Sequence, residues 1–337
     1  MQREQLIETW LQQLFPKQHI TTQYLAGDAS FRRYARIGVA DKTYMLMDAP
    51  PEQEDCTPFV RVAAYLDRQG TRVPHIVAQD LIQGFLLLED FGDQLLSTVL
   101  NEQTVDAYYT QAFQQIIQLQ QIAADAQIFP PYSAAKLEQE MRLFDEWMLP
   151  DLGIELSEIQ AEMLQHSYQW MIENLKQQPQ VIVHRDYHSR NLMVLAGEQN
   201  LGVIDFQDAV IGADTYDLIS IIRDAYVQWS PEKVQQWIAQ FYAMLPASAK
   251  VQRDLAQFQL DVEVMSMQRH LKILGIFVRL FVRDGKSGYL KDLPRVMWYL
   301  RQELQHCPQL AALQQFIELD VMPKFVAKYG EYVEVTA

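Results

Sequence analysis

Along the first fifteen residues the apolar positions Leu6, Ile7, Trp10, Leu11 and Leu14 recur at helical spacing among Glu and Gln, which predicts an amphipathic helix over 1–15. From about residue 20 the period drops towards two. Residues 21–25, 31–37 and 43–47 are rich in Tyr, Ile, Val, Thr and Phe and are punctuated by Gly27-Asp28 and Gly38, so they predict a strand meander. A helix is expected from Pro58, a residue suited to a first turn, to residue 67, and two further strands at 75–79 and 84–88. Beyond Asp90 the pattern is mainly helical: 101–124, 134–148, 157–176, 216–229, 231–245, 249–282, 290–305 and 310–319. Three short apolar runs, 181–183, 192–194 and 201–204, interrupt it around the most polar stretch of the chain. They predict a small sheet with polar loops set among helices, where function tends to sit. The fold class is therefore α+β: a small antiparallel N-terminal lobe with one inserted helix, residues 1–90, and a larger, mainly helical C-terminal lobe, residues 91–337.

Composition narrows the possible partners. The 337 residues are 49% hydrophobic and 11% aromatic, enough for a packed core. With 28 Lys and Arg against 43 Asp and Glu, the formal charge is −15, which argues against nucleic acid and anionic membrane surfaces as partners. Cys56 and Cys307 are the two cysteines and form no CxxC pair, so neither a disulfide framework nor a zinc site is expected, and a reduced cytoplasm fits. The first helix lacks the continuous apolar core of a signal peptide. The best membrane-span candidate, 273–282, is interrupted by Arg279.

The chemistry-bearing segment is His184-Arg185-Asp186-Tyr187-His188-Ser189-Arg190-Asn191, followed by Ile204-Asp205-Phe206-Gln207-Asp208. Asp186 and Asn191 are five residues apart, and Asp205 ends the next strand 19 residues after Asp186. Phosphoryl transfer needs a carboxylate beside the attacking hydroxyl and oxygen ligands for Mg²⁺ on the nucleotide phosphates; an Asp, an Asn and an Asp supply them.

These residues resemble the catalytic and metal-binding loops of the protein-kinase-like fold. His184, Asp186, His188 and Asn191 match the HxDxHxxN form of the aminoglycoside phosphotransferase-like kinases. The resemblance covers nearly the whole chain. It implies a two-lobed kinase fold using ATP and Mg²⁺, with Asp186 as catalytic base or hydroxyl orienter, His188 fixing the loop, Asn191 and Asp205 as metal ligands, and His184 packing. It also implies that Asp217 braces the catalytic loop, while helix capping is an equally good reading of that residue.

The nucleotide side is less regular. Gly27, Ser30, Phe31, Arg32 and Arg33 occupy the turn where kinases fold backbone over phosphates, though no GxGxxG is present. Glu89, Asp90 and Phe91 lie where such folds hydrogen-bond adenine. The third strand has no Lys where kinases carry the phosphate-pairing one, and the following helix has no Glu to pair with it. Either the phosphates are held differently, by an arginine of the first hairpin, or the register differs. Gly285-Lys286-Ser287 imitates the end of a P-loop but follows a helix, and is expected to be a helix stop.

Five segments, GDASFRRY, YMLMDAPPEQEDC, LLLEDFGD, HRDYHSRNLM and IDFQDAVIGADTYDLISIIRDAY, are similar to the anomeric sugar kinases of bacterial cell-wall recycling. That family phosphorylates N-acetylmuramate and N-acetylglucosamine at C1, so the resemblance implies an amino sugar and ATP as the binding partners. Candidate sugar contacts are Asp208, Arg223, Asp224 and Tyr226, with Trp229 beside them, though core packing explains the two aromatics at least as well. Arg269, Lys272, Arg279 and Arg283 share one helical face, expected to be solvated. A sharper reading sends Arg269 to the lactyl carboxylate of N-acetylmuramate. The alternatives are another small-molecule kinase of the same fold, acting on an aminoglycoside, an amino alcohol or another sugar hydroxyl, and a nucleotide-binding scaffold without activity.

Overall fold

The computed structural model describes residues 3–25, 31–251 and 253–332. In chain order the elements are α1 (Arg3–Leu14), β1 (Ile20–Tyr24), β2 (Arg33–Val39), β3 (Lys42–Asp48), α2 (Thr57–Arg68), β4 (Ile76–Asp80), β5 (Phe85–Glu89), α3 (Val105–Gln121), α4 (Ala134–Leu143), α5 (Leu149–Asp151) and α6 (Glu158–Gln177). They continue with β6 (Gln180–Val183), β7 (Leu192–Met193), β8 (Gly202–Val203), β9 (Val210–Ala213), α7 (Tyr216–Ile222), α8 (Pro231–Met244), α9 (Ala247–Lys250), α10 (Leu255–Asp284), α11 (Leu293–Gln305), α12 (Ala311–Phe316) and α13 (Met322–Tyr329). Two compact units result. The first comprises 1–115, 127–129 and 190–209; the second comprises 116–126, 130–189 and 210–337.

The first unit is built on an antiparallel sheet of order β1-β2-β3-β5-β4. Side-chain alternation gives it two faces. Ala35, Ile37 and Val39 of β2, Leu46 of β3, and Phe85 and Leu87 of β5 bury one face against Ile7, Trp10 and Leu11 of α1. Asp48, fully buried on that side, takes Arg3 at 2.6 Å and Arg33 at 2.6 Å. On the other face Phe59 of α2 packs on Phe206 with ring centroids 4.8 Å apart. Segment 190–209 joins this unit through Val203 N–H to the Arg72 carbonyl and Val194 N–H to the Gln94 carbonyl, both 2.8 Å.

The second unit is organised around α10, thirty residues long and buried along most of its length. It lies against α4, α6, α7, α8 and α11. Gly275 lets it close on α4: a Cβ there would fall 2.2 Å from the Leu143 carbonyl carbon. Gly275→Ala is therefore expected to cost about 1–3 kcal/mol through overpacking, read as a lowered urea midpoint at unchanged slope. Wild-type stability in that variant would contradict the close approach.

Several sequence expectations change. In place of one small sheet there are two two-stranded pairs, β6 with β9 and β7 with β8. The helix expected over 216–229 stops at Ile222, because Arg223 leaves helical geometry and Asp224 is engaged elsewhere. The 249–282 helix is broken before Asp254, whose side chain caps a new start at Leu255. Gly285 ends α10 in the left-handed conformation, φ 70°, as a stop should.

Candidate active site

In the second unit β6 leads into the polar loop. His184 is buried, its ring edge-on to Tyr187. Arg185 has φ 75°, a left-handed conformation that a non-glycine residue holds only when its surroundings enforce it. Asp217 provides that enforcement: one carboxylate oxygen accepts from His184 N–H at 2.8 Å and the other from Arg185 N–H at 3.0 Å. Thr215, not Asp217, occupies the cap position of α7 and makes no side-chain cap bond, so Asp217 acts as the brace.

Asp186 projects from this loop with 39% of its side chain exposed. Burial raises its pKa, but the charges of Lys272, Arg269 and Arg185 outweigh burial and hold it well below the usual carboxylate range. Arg269 lies 3.6 Å from the carboxylate and donates to the Arg185 carbonyl at 2.8 Å and the Tyr216 hydroxyl at 3.2 Å. Lys272 reaches the same hydroxyl at 3.2 Å and Glu140 at 3.3 Å, while Arg185 pairs with Glu140 at 2.6 Å. Arg269 and Lys272 are thus buried ion-pair members, not the solvated stripe their spacing suggested; only Arg283 at the far end of α10 is exposed.

His188 N–H donates to the Asp186 carbonyl at 2.9 Å, and its ring stands edge-on to Tyr226 at 5.2 Å. Burial lowers its pKa, favouring the neutral ring. Asp224 accepts from Ser189 N–H at 2.9 Å, Ser189 O–H at 2.5 Å and Tyr226 N–H at 2.8 Å. Arg223 is committed to Glu263 at 2.7 Å, Glu303 at 3.2 Å and Ser266 at 2.8 Å. Of the expected sugar contacts, Asp224 supports the loop through Ser189, Arg223 is held by α10 and α11, and Tyr226 sits beside His188. Trp229 is buried on Trp237.

The first unit holds a cavity of about 630 Å³. Glu89, Asp90 and Phe91 line one part of it, and Asn191, Asp205 and Asp208 another. Glu89 is paired with Arg72 at 2.7 Å, and Asp90 with Arg36 at 2.6 Å. The Phe91 ring lies under the Arg72 guanidinium at 4.6 Å and against Gly202, where a Cβ would fall 2.5 Å from the ring. The Asn191 amide lies 3.2 Å from the Asp205 carboxylate, which also accepts from Gln207 at 2.8 Å. Asp205, at φ 64°, is the second strained non-glycine residue in these loops.

These are hard oxygen donors on an exposed carboxylate and a neighbouring amide. Among the described residues no group of three or more His, Cys, Asp or Glu is gathered for a metal. Oxygen donors of this kind are the type Mg²⁺ takes beside water and phosphate oxygens.

The first-hairpin candidates separate by face. Arg33 turns to Asp48 and Glu4, whereas Arg32 lines the cavity and pairs with Glu54 at 2.6 Å. Phe31 is 64% exposed, and Gly27 and Ser30 lie outside the described residues. Glu54, Glu140, Tyr132 and Tyr216 escaped sequence reasoning. Glu140 and Lys272 meet across 132 positions of sequence, and no local spacing signals such a pair.

A model of the phosphotransferase enzyme family matches residues 21–252. The chain belongs to that family. Among its relatives, the N-acetylmuramate/N-acetylglucosamine kinase of Pseudomonas putida is 40% identical over 87% of this chain and 86% of that protein. Its namesakes in Pseudomonas aeruginosa, at 37% identity over 94% and 96%, and Neisseria meningitidis, at 35% over 93% and 94%, are similar along nearly their full length. Among solved structures, an ADP-bound aminoglycoside phosphotransferase superposes with a TM-score of 0.60 at 15% identity, covering 88% of this chain and 98% of its own. A choline kinase from Cryptosporidium parvum gives 0.61 at 12%, covering 94% and 99%. The family fold is thus the α+β, two-lobed protein-kinase-like fold expected from the sequence.

Proposed function

We propose that this chain is an ATP-dependent sugar kinase that transfers the γ-phosphoryl group to the anomeric C1 hydroxyl of N-acetylmuramate, N-acetylglucosamine or both, in cytoplasmic recycling of peptidoglycan. The observation that carries the reading is identity of 35–40% to kinases named for these two sugars over 86–96% of their lengths. The intact Asp186, Asn191 and Asp205 set supports activity over a scaffold role.

In this reading residues 1–90 bind nucleotide and 91–337 supply the catalytic loop and the sugar site. The Glu89–Phe91 stretch meets adenine. Asn191 and Asp205 would hold Mg²⁺, which would supply charge neutralisation for the nucleotide phosphates. Asp186, kept ionised by the cations behind it, orients the C1 hydroxyl and takes its proton onto a carboxylate oxygen as the new phosphorus–oxygen bond forms and the γ-phosphorus bond to the ADP leaving group breaks. Arg269 positions Asp186 through the Arg185 carbonyl, and Tyr226 and Asp208 are the remaining candidates for sugar contacts. No described helix is long and apolar enough to cross a membrane.

The test is turnover of each sugar with Mg-ATP, followed by phosphorus NMR. A C1 phosphate with at least one of the two sugars is expected. Phosphate at C6, or on an aminoglycoside in preference to either sugar, would overturn the assignment.

A further inference from the structure

ATP brings a polyanion to a cavity whose described lining contains six carboxylates, from Glu54, Glu89, Asp90, Asp93, Asp205 and Asp208. Arg36 spans Asp90 and Asp93, and Arg72 holds Glu89, which balances the adenine end. Nothing equivalent comes from β3. That strand offers Met45 to the cavity, and its last residue, Asp48, faces α1 in a pair with Arg3 and Arg33. Helix α2 carries no glutamate.

Among the described lining residues Arg32 is the one Lys or Arg. Its side chain is 10% exposed, its guanidinium donates to Glu54 at 2.6 Å, and its charge interacts with the Tyr34 hydroxyl and the Asp205 carboxylate. Glu54 precedes α2 in the chain and lines the same cavity. A guanidinium has five N–H donors in a planar fork suited to phosphate oxygens, and the bond to Glu54 orients that fork.

We infer that Arg32, oriented by Glu54, grips the ATP phosphates in this chain, a guanidinium–carboxylate pair displaced to the first hairpin and the loop before α2 in place of the third-strand lysine and helix glutamate. The inference rests on the kinase reading above and names which residues hold its nucleotide. Arg33, its sequence neighbour, has no part in it, because the strand's alternation sends it to the opposite face.

The experiment measures calorimetric affinities for ATP with Mg²⁺ and for adenosine, on the full chain and on Arg32→Met, Arg32→Gln and Glu54→Gln. Loss of a charge-assisted bond predicts ATP affinity lower by about 10- to 100-fold in either Arg32 variant, with a smaller loss in Glu54→Gln. Adenosine, which has no phosphate, is expected to bind all four proteins within about twofold, and its retention reports an intact cavity. Arg32→Gln carries the same readout if Arg32→Met does not fold. Unchanged ATP affinity in an Arg32 variant that still binds adenosine would overturn the inference, as would equal losses of ATP and adenosine. Wild-type sugar turnover is read separately: absence of a sugar phosphate in a protein that binds ATP through Arg32 would sink the substrate reading and leave this inference standing.

Discussion

If Asp186 is the proposed proton acceptor, Asp186→Asn is expected to lower turnover of the sugar by about 10²- to 10⁴-fold with little change in ATP affinity, since the substitution leaves the lining of the cavity untouched. The position tolerates the amide: Asp186 keeps 39% of its side chain in solvent, and the loop is fixed by Asp217 and Asp224 rather than by Asp186 itself. Circular dichroism and ATP calorimetry on the same preparation would separate lost chemistry from lost structure. A variant turning over at near wild-type rate would remove Asp186 from its role. The cation cluster adds a pH signature. Because Lys272, Arg269 and Arg185 together outweigh burial and hold the carboxyl low, the wild-type acid limb of kcat is expected to lie below the ordinary carboxylate range.

The second large effect is on the brace. Asp217→Ala leaves the His184 and Arg185 N–H groups without their acceptor in a buried site, at about 1–3 kcal/mol each, so a destabilisation of about 2–6 kcal/mol is expected. It also releases the left-handed backbone at Arg185, one residue from Asp186, so activity should fall further than the folded fraction does. Asp217→Asn is no rescue, because both oxygens accept and an amide would turn its own N–H₂ towards one of the donors. The deficit depends on pH. Burial pushes Asp217 up to about 6, against about 4 in an unfolded chain. A folded value above the unfolded one means that this residue's proton-linked contribution is complete below pH about 4 and is lost as pH rises through about 6. Urea unfolding at pH 4.5 and 7 should therefore show the larger gap between wild type and Asp217→Ala at the lower pH; the reverse order would contradict the assignment.

Local pattern carried much of this architecture. Alternation placed the first five strands within a residue or two, and helical spacing placed α1 and α2, because each of these elements is amphipathic in its own stretch of chain. The Asp186, Asn191 and Asp205 spacing was legible for the same reason, since loop and strand lengths fix it. What failed was decided by distant partners. Arg269 and Lys272 have the spacing of an exposed stripe, and only the Tyr216 hydroxyl and Glu140, contributed by α7 and α4, make their burial tolerable. Helix α7 stops early because Asp224 is drawn to Ser189, a contact over 35 positions. Arg32 and Arg33 are indistinguishable in composition, and their separation required knowing which sheet face α1 covers.

The first unit is discontinuous, and this has a bearing on how the chain is born. Residues 1–115 supply the sheet and one wall of the cavity, but Asn191, Asp205 and Phe206 belong to a segment made later. At ordinary elongation rates of about 5–20 residues per second, roughly 5–20 seconds of synthesis separate residue 115 from residue 209. During that interval Phe59 of α2 waits without the Phe206 ring it packs on, and the Glu89–Phe91 side of the cavity exists before the Asn191 and Asp205 side does. The first unit therefore cannot complete the packing of α2 until translation has passed residue 206, although the five strands of its sheet are synthesised long before.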